Sequence, residues 1–77
     1  MLICNVIHQM SVLGTVYSVI LKSVHQVGEN KYRVFSPDGG SGRVLIKEVA
    51  KIFVEECKKI EGAKIIFTPE AIREGWE

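Results

Sequence analysis

The sequence has little cysteine, little proline and almost no excess of charge of either sign. Two cysteines and two prolines in 77 residues exclude a disulfide framework and a proline-rich linker. Because Cys4 and Cys57 both have apolar neighbours, we expect buried free thiols in a reducing, cytoplasmic compartment. A net charge of +1, from ten Lys and Arg against nine Asp and Glu, excludes a strong overall attraction to nucleic acid or acidic membranes. Any such binding must be local.

Charge is also absent from residues 1–21, and neither a basic leader nor a small-residue cleavage site accompanies this apolar stretch. We therefore expect no secretion signal. An uncharged run of this length could alternatively span a membrane, which takes about 20 residues. Polar side chains recur through the run, however, and a strand can turn them to one side instead of burying them in hydrocarbon. We predict soluble strands and no membrane partner; the polar residues are Asn5, His8, Gln9, Ser11 and Ser18.

What is present is typical of a folded domain. Hydrophobic residues make up 47% of the chain and charged residues 25%. No linker, repeat or low-complexity tract divides it, so we predict a single domain over residues 1–77. Acids are absent from residues 1–28, which predicts a core-like front half and a solvated remainder. The scarcity of Asn and Gln beside abundant Lys, Glu and Ile is compatible with a thermophilic source.

Three strands are predicted in the front half. Residues 15–27 are rich in Val and Ile, Gly28 to Asn30 supply turn residues, and residues 31–35 alternate polar and apolar side chains. Residues 2–12 alternate less cleanly and end before Gly14. Apolar positions in residues 1–28 also match helical spacing, so a helix there remains an alternative, and β-branching favours strands.

The helical signal is clearest over residues 43–61. We expect Ser41 or Gly42 to cap the start and Gly62 to follow the end. Charged residues lie opposite the apolar stripe with supportive four-residue spacing, which predicts a solvated face. Residues 43–46 could instead pair with residues 31–35 as a strand. The predicted stripe consists of Ile46, Ala50, Phe53, Cys57 and Ile60.

The C-terminal segment predicts a short strand and a short helix. Ala63 to Phe67 is apolar, and Thr68, Pro69 and Glu70 are typical of a helix cap, a first-turn proline and a dipole-favoured acid. The predicted fold is therefore α+β: a small two-layer sandwich in the order β-β-β-α-β-α, with a mainly antiparallel sheet packed against one long helix.

More apolar surface is predicted than one copy can bury. The helix has an apolar arc of about 200°, and the strand over residues 15–27 has apolar side chains on both faces. We therefore predict a homo-oligomer, with a dimer favoured, unless the C-terminal helix covers the second face.

Glu56 lies in the apolar arc of the helix, where it is an acid at the edge of the arc, the ion-pair partner of a basic residue on a second subunit, or a carboxylate that lines a pocket. Trp76 either closes the core beside Ile72 or anchors a partner. The predicted interface residues are Leu45, Ile52, Glu56 and Trp76.

A glycine-rich loop and a basic hairpin form the weaker candidate sites. The loop SPDGGSG before the helix suggests an anion site at Gly39, Gly40, Ser41, Gly42 and Arg43, or simply a turn. The hairpin suggests nucleic-acid or phosphate-ligand binding, or a strand edge guarded by charge. Its basic residues are Lys22, Lys31, Arg33 and Arg43, interleaved with the aromatic residues Tyr32 and Phe35.

Catalytic chemistry has no recognisable pattern here. Cys4, His8, His25 and Cys57 are metal-binding types without the close spacing of a structural zinc site, so we expect no metal and no cofactor. No feature aligns a nucleophile with a base and an acid, which makes an enzyme the less favoured class. The leading hypothesis is a self-associating structural or protein-interaction module without catalytic activity of its own, and the alternative is nucleic-acid or phosphate binding.

Overall fold

The three N-terminal strands form where alternation and β-branching predicted them. In the computed structural model, which describes all 77 residues, β1 spans Leu2–Val12, β2 Thr15–Gly28 and β3 Lys31–Phe35. The helical alternative for residues 1–28 is therefore wrong. Leu13 and Gly14 connect β1 to β2 with φ of +50° and +82°, as a two-residue hairpin turn of the mirror-image type requires.

The main helix is shorter than its apolar pattern predicted. Helix α1 spans Lys47–Cys57, so residues 43–46 and 58–61 of the predicted helix lie outside it. Residues 43–46 form no strand either, but Leu45 pairs with Tyr32 of β3 in an isolated bridge, through two backbone hydrogen bonds of 2.7 and 2.8 Å. The expected cap at Ser41 or Gly42 is replaced by Ile46, which offers no side-chain acceptor. Instead, Asn30 Oδ1 accepts from the amide of Lys47 at 3.0 Å.

The C-terminal elements form as the capping residues predicted. Strand β4 spans Ala63–Phe67 and helix α2 spans Pro69–Arg73. Thr68 Oγ1 accepts from the Ala71 amide at 3.2 Å and also donates to the Leu2 carbonyl at 3.1 Å. The cap thereby fastens α2 to the first strand.

The strands form one antiparallel sheet in the order β3-β2-β1-β4. The last strand pairs with the first, and β3 and β4 lie at opposite edges. The result is a small α+β fold with a four-stranded antiparallel sheet and two helices. Neither helix has the length and apolar composition that a membrane crossing requires.

The core is small. Only 10 of the 77 residues are buried, and α1 contributes Ala50, Val54 and Cys57 rather than the whole predicted stripe. Ile46 and Ile60 of that stripe are 52% and 48% exposed, because they lie beyond the two ends of the helix. The main core cluster consists of Ile3, Cys4, Val24, Tyr32, Ala50, Val54, Ala71 and Trp76.

Candidate functional site

The outer half of the β1–β2 hairpin projects from the sheet without cover. Strand β4 pairs with β1 only over Cys4–His8, and β3 pairs with β2 only over Ser23–Gly28. Residues 9–20, which we call the hairpin arm, are all exposed, and both edges of the arm are unpaired except where the Gln9 amide donates to the Gly62 carbonyl at 3.4 Å. The arm contains no charged residue, and the molecule is 44 Å long against 27 and 20 Å in its other dimensions.

The two faces of the arm differ in polarity. Cross-strand pairs place Met10 opposite Tyr17 and Val12 opposite Thr15, and Val19 lies on the same face. The side chains of Met10, Val12, Tyr17 and Val19 are 41% to 51% exposed. The other face is more polar, since Gln9 lies opposite Ser18 and Ser11 opposite Val16, and its exposed apolar side chains are those of Val16, at 67%, and Ile20, at 46%. We call the first of these the apolar arm face.

Leucine occupies an unfavourable position at the tip of the arm. Leu13 is 100% exposed and has φ of +50°, a left-handed conformation that Asn or Gly adopts at lower cost. Neither burial nor backbone preference accounts for a leucine there. Strained residues of this kind cluster at binding sites.

A second exposed surface is the open face of the sheet, opposite the buried side chains of Cys4, Val6 and Val24. One row across it consists of Ile66, Asn5, Ser23 and Phe35, one from each strand. Ser23 Oγ donates to Asn5 Oδ1 at 2.6 Å, which fixes the centre of the row. The ring of His25 stands edge-on to that of Phe35, with centroids 5.0 Å apart. Burial and the positive charge of the N-terminus lower the pKa of His25 below its usual value.

Charge is segregated between the sheet and the rest of the chain. None of the four strands contains an acidic residue, so all nine acids lie in helices, turns and termini. On the open face, Arg33 pairs with His25 and Lys64 with Ile7. Lys31 is two residues before Arg33 on β3 and therefore lies on the same face. The charged side chains that the strands contribute to this face are therefore all basic, although the net charge of the whole chain is only +1.

The structure divides the predicted nucleic-acid residues between different places. Lys31, Arg33 and Phe35 share the open face, as alternation along β3 requires. Tyr32 is only 3% exposed and packs in the core, so it cannot stack on a base. Lys22 donates to Ser36 Oγ at 2.6 Å, and Arg43 is exposed in the loop.

The predicted anion loop offers few free donors. It does not adjoin a helix N-terminus, because α1 begins only at Lys47. Ser41 and Phe35 form an isolated bridge, so the loop folds back on β3 as a turn. The glycine amides already donate within the chain: Gly39 to Ser36, Gly40 to the Asp38 carboxylate, and Gly42 to Val34.

The structure places the four residues predicted for the subunit interface in different environments. Leu45 is half-buried against the core, and Ile52 is 60% exposed on α1. The Glu56 carboxylate is exposed and accepts from Lys59 at 3.1 Å, in an ion pair within its own chain. Trp76 is 5% exposed and packs on Tyr32 with ring centroids 5.3 Å apart, so it closes the core of its own chain.

The thiols and the cavity give no catalytic arrangement. Burial raises the pKa of Cys4 to about 11, with a further contribution from Cys57, and burial also raises the pKa of Cys57. A nucleophilic thiol needs the opposite shift, a lowered pKa.

A cavity of about 290 Å³ lies between α1 and the C-terminus. Its lining residues are Lys51, Val54, Glu55, Gly75, Trp76 and Glu77. The structure contains no cluster of three or more His, Cys, Asp or Glu side chains placed to hold a metal.

The arm is the feature that sequence reasoning missed as a site. Two features of the sequence pointed to it: residues 1–21 carry no charge, and the strand predicted over residues 15–27 has apolar side chains on both faces. Comparisons of the chain with protein-family models, with curated proteins and with solved structures find no match. Function must therefore be argued from the two exposed surfaces themselves.

Proposed function

We propose that this chain is a self-associating structural or protein-interaction module, without catalysis of its own, whose hairpin arm binds the arm of a second copy. The observation that carries the proposal is the apolar arm face. It consists of large apolar side chains that are about half exposed on a projecting, uncharged hairpin. Soluble monomers rarely expose a continuous apolar patch of this kind.

A second copy is the occupant that suits the arm best. An uncharged hairpin approaches its own copy without like-charge repulsion, and it offers no charge to select an acidic or basic partner. A twofold axis would bring the same side chains together from both subunits, as isologous dimers require. The unpaired edges supply further backbone donors and acceptors for the same contact.

The small core supports the same conclusion. In the proposed assembly each subunit is a two-layer sandwich, with the helices as one layer and the sheet as the other, and the arm extends beyond the helical layer. Ten buried residues form a modest core for a chain of 77. Burial of the apolar arm face between subunits would add apolar area at about 25 cal/mol per Å².

The oligomeric state of full-length variants tests the proposal. Met10→Lys/Tyr17→Lys places two charges opposite each other on the apolar arm face, and we expect it to run as a monomer. Gln9→Lys/Ser18→Lys adds the same two charges to the polar side of the same arm and should remain a dimer. Light scattering after size exclusion measures the mass of each at micromolar concentration.

Two results would overturn the proposal. One is a monomeric wild-type chain at micromolar concentration. The other is equal loss of dimer in both double variants, because added charge in general, rather than the apolar arm face, would then be responsible. Far-UV circular dichroism confirms that each variant retains its sheet.

A further inference from the structure

The open face of the sheet points to a second activity that does not depend on the arm. We propose that this face binds single-stranded nucleic acid, with its cations on phosphates and the ring of Phe35 stacked on a base. The inference rests on charge complementarity and on the row of side chains across the sheet. It concerns Arg33, Phe35 and Lys64 together with His25 and Lys31.

The charge pattern selects a polyanion. The charged side chains that the strands contribute to the open face are all basic, and no strand contributes a carboxylate to offset them. Arg33 lies in edge strand β3 and Lys64 in the opposite edge strand β4. The two edges of the four-stranded sheet are about 14 Å apart. The open face therefore has a cation at each edge, and Phe35 lies beside Arg33 on β3.

The aromatic pair selects unpaired bases. Phe35 is partly exposed, and its ring forms a T-shaped pair with that of His25. Base stacking on an aromatic ring requires a base that is not already stacked within a duplex, which favours single strands. The neighbouring amide of Asn5 and hydroxyl of Ser23 provide polar groups in the same row. Sheets that bind single-stranded RNA use aromatic residues on an open face in the same way.

Anisotropy of a fluorescent, mixed-sequence oligonucleotide of about 12 nucleotides tests the proposal. RNA and DNA versions are titrated separately, and an unlabelled duplex of the same length serves as competitor. Three phosphate contacts predict a slope of log K against log salt of about −2. The duplex should compete poorly, because its bases cannot reach the Phe35 ring.

Two matched double variants locate the site. Arg33→Gln/Lys64→Gln removes one Arg and one Lys from the open face, and we expect at least about tenfold weaker binding and a salt slope near −0.7. Arg73→Gln/Lys59→Gln removes the same residue types from exposed positions in α2 and in the turn after α1, and it should bind like the wild type. Phe35→Leu keeps an apolar side chain without the aromatic ring and should weaken binding about tenfold.

Each result bears on the proposal directly. No binding of the wild-type chain at tens of micromolar and low salt overturns it, and so does equal weakening by the two double variants. Efficient competition by duplex overturns the single-strand assignment. If Phe35→Leu lowers the unfolding temperature, the two Gln double variants still decide, because their substituted side chains are at least partly exposed. Loss of binding when Arg33→Gln/Lys64→Gln is added to the arm variant Met10→Lys/Tyr17→Lys would show that the open face still binds when the arm does not associate.

Discussion

At the scale of the residue, the most informative side chain is Leu13. Its left-handed backbone costs about 1 kcal/mol relative to Asn, which with Gly14 forms the preferred pair for this turn. We therefore expect Leu13→Asn to raise the free energy of unfolding by up to about 1 kcal/mol. If the tip contributes to assembly, the same change weakens the dimer, so stability and association move in opposite directions. Urea denaturation of dilute protein and light scattering measure the two effects. Unchanged or lower stability would show that the turn is not strained.

At the scale of the element, the start of α1 depends on a side chain from a different part of the chain. Asn30 has φ of +52° and its amide oxygen accepts from the first helical amide. We expect Asn30→Ala to lower the free energy of unfolding by about 1 to 2 kcal/mol, since it removes the cap and strains the turn. Asn30→Gly keeps the turn conformation and should lose only the cap, about 1 kcal/mol or less. Urea denaturation measures both variants, and equal stability of the wild type and the glycine variant would show that the hydrogen bond contributes nothing.

The same helix indicates where sequence reasoning succeeds and where it stops. Alternation and capping predicted β1, β2, β3, β4 and α2, because those signals are local. The first turn of the predicted helix was wrong, since residues 43–46 suit either a helix or a strand and the pairing of Leu45 with Tyr32 decides between them. The hairpin arm was missed as a site for a related reason. Strand alternation predicts which side chains share a face. Whether the hairpin has neighbouring strands along its edges depends instead on where β3 and β4 end, which alternation in β1 and β2 does not predict.

At the scale of the whole molecule, polarity is divided between two surfaces that should respond oppositely to salt. The hairpin arm is uncharged and its proposed contact is apolar, so salt does not screen it, and salting-out anions such as sulfate strengthen it. The open face is basic, and binding there releases counterions from the nucleic acid. Between about 50 mM and 200 mM salt, a slope near −2 predicts roughly 15-fold weaker oligonucleotide binding. Over the same range the dimer dissociation constant should stay constant or fall. Analytical ultracentrifugation and anisotropy on one preparation measure both quantities, and a dimer that dissociates with added salt would contradict the apolar contact.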